Sequence, residues 1–229
     1  MVITLAKVTW LGQAGLLFDF DGFSVIIDPY LSDSVKAINP RNYRRQPIDT
    51  RFFEMTPDVL IFTHNHLDHF DPETVQRILD TDKSITVLAP ASVWNTVRQY
   101  GGEHNYVLFD RHTEWTQGDV CFCAVKAAHS DVSAIGVVLK TRENCYYVTG
   151  DTLYNSEIFS DLPETIDTVF LPINGVGNNM NMRDAARFAM RTGAKQVVPL
   201  HFGMFDELSP YAFSCENVVI PTIYKEIAL

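Results

Sequence analysis

Thr63-His64-Asn65-His66-Leu67-Asp68-His69 ends the apolar, β-rich run 59–63 and stands just ahead of Asp71-Pro72, a pair suited to the N-cap and first turn of a helix. The seven residues therefore span the place where a strand stops and a helix-initiating loop begins. In extended chain, residues two apart point the same way, so His64 and His66 can present two imidazoles to one ion. Asp68 and His69 lie past the turn and can face a second. The chain has seven histidines, and burying three of them with an aspartate inside six positions would leave many polar groups unpaired without a cation. A metal centre is the reading that satisfies them.

Working outward, further apolar runs recur at 3–11, 16–20, 24–28, 85–89, 120–127, 135–140, 146–149, 168–171 and 196–200. Between them lie helical patterns. Val75, Ile78 and Leu79 make the inward stripe of the helix after Pro72, a second helix covers 92–100 and closes at Gly101-Gly102, and a third covers 182–192. In this last helix Met182, Ala185, Ala186, Ala189 and Met190 share one face before Gly193. Strands and amphipathic helices in both halves of the chain predict a layered α/β architecture, two sheets face to face with helices outside, as one domain over 1–229. The segment 32–50 differs: it is polar, aperiodic, and carries Arg41, Arg44, Arg45, Pro40 and Pro47, which reads as a long functional loop.

Three other residues end apolar strands and so can reach the same rim: His129, Asp151 in Val148-Thr149-Gly150-Asp151, and His201 after 197–200. His104 and His112 lack that setting. Asp28 either accepts a ring N–H from a ligand histidine or makes an Asp-Pro turn; Asn174 either donates to a substrate oxyanion or stabilises its own turn. Arg41, Arg44 and Arg45 either clamp a phosphate or form a solvated basic loop.

The composition, 46% hydrophobic and 20% charged over 229 residues, is that of a soluble globular protein, large enough to fold without metal or disulfide. The net charge of -10 makes nucleic acid an unsuitable partner, since phosphate binding needs clustered Lys and Arg. Residues 1–20 are interrupted by Lys7 and Asp19 and alternate like a strand, not like a signal sequence, and no stretch approaches the roughly 20 apolar residues of a membrane span. Cys121, Cys123, Cys145 and Cys215 show no zinc-ribbon spacing and are expected to be reduced thiols of a cytoplasmic protein. A small-molecule substrate is the expected partner, and a homo-oligomer is compatible with the sequence.

Taken together, the HxHxDH pattern and the later His, Asp and His resemble the metallo-β-lactamase superfamily, nearly over the whole chain. Within it, Trp10-Leu11-Gly12-Gln13-Ala14-Gly15, Ile27-Asp28-Pro29, Thr149-Gly150-Asp151-Thr152, Leu171-Pro172-Ile173-Asn174-Gly175 and Val198-Pro199-Leu200-His201 look like the branch of L-ascorbate-6-phosphate lactonase-like hydrolases, and N-acyl-phosphatidylethanolamine phospholipase D-like enzymes share similar stretches. The resemblance implies an αββα sandwich and two divalent ions, with His64, His66 and His129 holding one, Asp68, His69 and His201 the other, and Asp151 bridging them. Zinc and manganese suit this mixed nitrogen and oxygen set, and so does iron. The chemistry implied is hydrolysis by a metal-bound hydroxide, with Asp68 also shuttling a proton, on a small ester, lactone or related compound with or without a phosphate. A phosphodiester substrate is the alternative. A di-iron redox role is the third reading, although redox proteins of this fold commonly place a carboxylate where this chain has His66.

Overall fold

In a computed structural model that describes residues 6–229, the apolar runs form two mixed six-stranded sheets. The first has the order β1 (Lys7–Gly12), β2 (Gly15–Phe20), β3 (Phe23–Ile27), β4 (Val59–Ile61), β5 (Thr86–Ala89), β6 (Asn105–Leu108). Pairing is antiparallel through β3 and parallel from β3 to β6. The second sheet runs β12 (Gln196–Leu200), β11 (Thr168–Pro172), β10 (Cys145–Val148), β9 (Ile135–Lys140), β8 (Val120–Lys126), β7 (Glu114–Gln117), with β10, β11 and β12 parallel and the others antiparallel. Residues 3–5 of the run expected at 3–11 lie outside the described residues.

Period-two alternation sorts the side chains into layers. From the first sheet, Val25, Ile27, Val59, Ile61 and Leu88 face the second sheet, where Phe18 meets Tyr146 and Phe170 edge-on at 5.6 and 5.7 Å. The alternate residues Ile26, Leu60 and Val87 face outward and are covered by Val75, Ile78 and Leu79 of α2 (Pro72–Leu79) and Val93 and Val97 of α3 (Ala91–Val97). On the other side, α4 (Met182–Thr192) covers the second sheet with Ala185, Phe188 and Ala189. This is the α/β layered sandwich expected. The C-terminal segment runs beside β1, where Ile227 N–H donates to Val8 O and Tyr224 N–H to Trp10 O, both at 2.7 Å, so that edge is not left bare.

Local chemistry sets the helix ends. Asp71 accepts from Thr74 N–H with Pro72 in the first turn, and Asn181 accepts from Asp184 N–H before α4 ends at Gly193, whose φ of 67° suits glycine. Several expectations need correction. The buried face of α4 is centred on Phe188 instead of Met190: Phe188 is fully buried among Tyr147, Tyr154 and Phe159, whereas Met190 is 76% exposed. The second helix is α3 followed by a 3₁₀ turn at Arg98–Tyr100, because the chain tightens before Gly101. Strands β6 and β7 were not anticipated, being half-exposed edge strands with weak or polar patterns. The loop 32–50 contains one short helix, α1 (Ser34–Ile38). No helix among the described residues is long and apolar enough to cross a membrane. All four cysteines are free thiols.

Candidate metal centre

The site lies at one end of both sheets, and strand ends supply most of its segments. Asp28 follows β3, Thr63 and His64 follow β4, His129 follows β8, Asp151 follows β10, Asn174 follows β11 and His201 follows β12. Two backbone bonds tie the sheets together there: Ile135 N–H donates to Thr63 O at 3.0 Å and His201 N–H to Gln13 O at 3.1 Å. The chain bends sharply to make these exits. Gln13, Asp28 and His201 all adopt left-handed conformations, with φ of 50°, 46° and 62°, which non-glycine residues rarely hold unless the surroundings fix them. Gly150 is also left-handed at φ 60°, and a Cβ there would meet Ile135 O and Thr63 Cβ at 2.9 Å.

The donor atoms fall into three overlapping groups, each with members no more than 4.8 Å apart: His64, His66, His129 and Asp151; Asp68, His69 and His201; and, behind these, Asp28 with His64 and His69. Asp151 sits between the first two: its Oδ1 is 3.2 Å from His69 Nε2 and 3.0 Å from His201 Nε2, and its Oδ2 is 4.0 Å from His64 Nε2. The Oδ1 contacts lack hydrogen-bond geometry. Asp151 Oδ1 and His64 Nε2 are buried with no hydrogen-bond partner, and His129 Nε2 points at His66 Nδ1 at 3.1 Å. Buried acceptors converging with nothing between them cost free energy unless a cation is shared. The set of five imidazoles and two carboxylates therefore fits a divalent metal.

Four of the five imidazoles are held by the other nitrogen, which fixes the ring's orientation, whereas His201 has amide donors against both ring nitrogens, Gln13 Nε2 lying 3.0 Å from Nδ1 and 3.2 Å from Nε2. His69 Nδ1 is 2.8 Å from Asp28 Oδ2, His64 Nδ1 is 3.0 Å from Thr63 Oγ1, His129 Nδ1 is 3.3 Å from Asn178 O, and His66 Nε2 is 3.3 Å from Ser130 Oγ. His201 Nδ1 is 3.0 Å from Asn174 Nδ2. The structure thus places Asp28 on a histidine ring, and places Asn174 beside His201 with its own Oδ1 buried and unpaired. Burial opposes charge on His64 and, with the neighbouring His69, pulls it well below the usual imidazole range. Burial also opposes charge on His69, but Asp151, Asp28 and Asp68 outweigh it and hold that ring well above the usual range. The buried Asp151 is likewise kept well below the carboxylate range by His201 and His69.

Two residues of the site were missed from the sequence. Gln13 Nε2 donates to Asp68 Oδ2 at 2.7 Å, and Asn179 Nδ2 donates to Asp151 Oδ2 at 2.8 Å while its Oδ1 accepts from Thr152 N–H. Gln13 carried a readable signal, a polar residue directly after an apolar strand. Asn179, in a Gly-Asn-Asn turn, carried none. The arginines are not brought to the site. Arg44 is consumed internally, donating to Tyr30 O, Gln46 O and the Tyr224 hydroxyl, Arg45 pairs with exposed Glu207 at 3.1 Å, and Arg41 is exposed. His104 donates through Nε2 to Leu79 O at 2.9 Å and accepts at Nδ1 from Ile85 N–H at 3.3 Å, and His112 lies against Asp161, so neither reaches the site.

Known proteins share this arrangement of the chain. Residues 24–202 match the β-lactamase superfamily domain. A UPF0173 metal-dependent hydrolase of Exiguobacterium is 30% identical over 221 residues, covering 87% of each chain, and one of Ligilactobacillus salivarius is 29% identical over 210 residues, covering 87% of this chain and 86% of its own. Among solved structures, a metallo hydrolase from Ignicoccus hospitalis superposes with a TM-score of 0.76 at 18% identity, covering 96% of this chain and 97% of its own. A possible metal-dependent hydrolase from Veillonella parvula gives 0.78 at 16%, covering 99% and 100%. The chain belongs to the β-lactamase superfamily, within its family of UPF0173 metal-dependent hydrolases.

Proposed function

We propose that this protein is a binuclear hydrolase of a small ester, lactone or related carbonyl compound, akin to the L-ascorbate-6-phosphate lactonase-like branch. His64, His66 and His129 would hold one ion and Asp68, His69 and His201 the other, with Asp151 between the two groups. The observation that carries the reading is Asp151: a buried carboxylate whose two oxygens face the two ligand groups, with Oδ1 left unpaired. Zinc or manganese suits the donors, and so does iron. Bound divalent ions supply Lewis acidity, polarising a substrate oxygen and making water nucleophilic near neutral pH.

The chain's own residues do the rest. Asp28 and Thr63 set the ring orientations of His69 and His64. Gln13 donates to Asp68 Oδ2 and so fixes this carboxylate, 18% exposed, where it borders the cleft. Asn179 fixes Asp151. Ser130 faces His66, whose ring this reading assigns to a metal ion and so does not serve as a base, and water is the nucleophile of the proposed reaction. The test is metal analysis joined to a panel of lactones, esters and phosphodiesters, on the wild type and on Asp68→Ala and His129→Ala. The wild type is expected to carry two ions per chain and to hydrolyse a carbonyl substrate, and both variants to lose metal and activity. Unchanged hydrolysis after metal is stripped from the wild type would sink the proposal.

A further inference from the structure

A cleft of about 350 Å³ opens onto Asp68, Asp151 and His201. That volume is at the lower end of the roughly 300–1,000 Å³ of small-molecule sites, so the occupant is small. Its walls are specific in character. Val35, Val176 and Phe205 give it apolar surface, and Val176 remains 64% exposed in the turn between Gly175 and Gly177. Phe205 is held edge-on against Tyr30 at 5.6 Å. The polar walls outside the metal ligands are the neutral amides of Gln13, Asn42, Asn174 and Asn179.

The charge balance of the cleft is one-sided. Among the described residues that line it there is no lysine or arginine, and the one charged side chain outside the ligand set is Asp206. Asp206 is fixed in the wall, its Oδ1 accepting from Gly203 N–H at 2.8 Å and Leu208 N–H at 3.0 Å. Of the neighbouring loop's arginines, Arg44 is committed to two carbonyls and a phenol and Arg45 to Glu207, while Arg41 is exposed; none of the three lines the cleft. A phosphate carried away from the reacting bond would meet Asp206 with no counter-charge, in a chain of net charge -10. Bound ions favour negative oxygen only at the reacting centre.

Resting on the hydrolase reading, we infer that the non-reacting part of the substrate is uncharged and apolar: a neutral aliphatic lactone or ester is preferred to a phosphorylated one. The test holds the reacting bond constant and varies the rest, comparing δ-octalactone, δ-gluconolactone and 6-phosphogluconolactone on the metal-loaded protein. The two neutral lactones should exceed the phosphorylated one by at least about tenfold in kcat/KM, with octalactone the best. Val176→Arg and Asp206→Asn, the latter keeping the Oδ1 acceptor, should each narrow that ratio by lowering KM for the phosphorylated lactone. A wild type that turns over 6-phosphogluconolactone as well as gluconolactone overturns this inference and leaves the hydrolase reading standing. If no lactone is hydrolysed, calorimetric binding of the same three compounds decides the inference: tighter binding of the phosphorylated one refutes it, and tighter binding of octalactone supports it; the hydrolase reading itself fails only when the esters are left intact as well.

Discussion

Replacing Asp28 by Asn tests whether the metal centre depends on a residue that would not itself touch the metal. The carboxylate is fully buried; Oδ2 accepts from the Thr63 hydroxyl and lies 2.8 Å from His69 Nδ1, and Oδ1 accepts from Thr63 N–H at 2.8 Å. Since Thr63 Oγ1 is also 3.0 Å from His64 Nδ1, one carboxylate governs a histidine in each ligand group. At φ 46° Asn is among the few residues that tolerate the backbone, so the substitution changes charge without the strain that Ala would add. The Asn oxygen can still accept from Thr63 N–H, but an NH₂ then faces His69 Nδ1 and the Thr63 hydroxyl. Losing a charge-assisted hydrogen bond costs about 1.5–3 kcal/mol. At about 1.4 kcal/mol per decade that is roughly 10- to 150-fold in affinity, which agrees with the about 10- to 100-fold typical of removing a histidine's outer partner. A competitive titration against a chromophoric chelator should therefore show metal dissociation constants raised by about 10- to 100-fold. A folded Asp28→Asn protein that keeps wild-type affinity within about twofold would refute the reasoning.

Other outcomes follow from separate parts of the structure. Gln13→Met should lower kcat by about 10-fold or more with little change in KM, because it removes the donor that orients Asp68 without altering volume much; steady-state kinetics on the best substrate checks it. Gly150→Ala should cost about 1–3 kcal/mol, lowering the thermal midpoint by roughly 2–4 °C per kcal/mol, since its Cβ would press on Ile135 O and Thr63 at a left-handed φ. Burial pushes the Cys123 thiol up to about 12 and the Cys145 thiol up to about 11, so at pH 8 a disulfide reagent should leave both unmodified in the native protein and reach them only on unfolding. The sign for stability follows: both thiols are protonated in the fold, their contribution is complete below the ordinary value of 9.0, and stability measured by denaturant should fall as pH rises from there toward 12.

How far the sequence reveals the molecule depends on the range of the interaction concerned. Core strands such as β4 and β10 are legible because every residue in them is apolar and buried, whereas β7, Glu-Trp-Thr-Gln, is strand only because β8 lies beside it. The face of α4 was misjudged for the same reason: helical spacing allows either Met190 or Phe188 inward, and the choice is made by Tyr147, Tyr154 and Phe159 from other elements. The histidines and aspartates announced themselves because their chemistry is costly to bury, while Asn179 is an ordinary turn residue until Asp151 is seen beside it. For the arginines the sequence leaves a phosphate clamp and a solvated loop both open, because a run of basic residues does not reveal that Arg44 ties its own loop to Tyr30 and Tyr224.

Strand direction explains why the site could be assembled from so many segments. β1 and β3 run the same way, being separated by antiparallel β2, and β4 is parallel to β3; in the other sheet β8 runs with β10, β11 and β12. Every one of these strands delivers a site residue within three positions of its carboxyl end: Gln13, Asp28, His64, His129, Asp151, Asn174 and His201. The opposed strands β2, β7 and β9 deliver none of the seven. Ligands outside the carboxyl ends of strands are the general habit of α/β sheets, and here two sheets place those ends at one rim. The left-handed turns at Gln13, Asp28 and His201 then become intelligible: a side chain one residue beyond a strand reaches the shared centre only if the backbone turns at once. The fold thus concentrates its backbone strain at the exits where the polar atoms converge, and a cation shared at that point would offset both costs together.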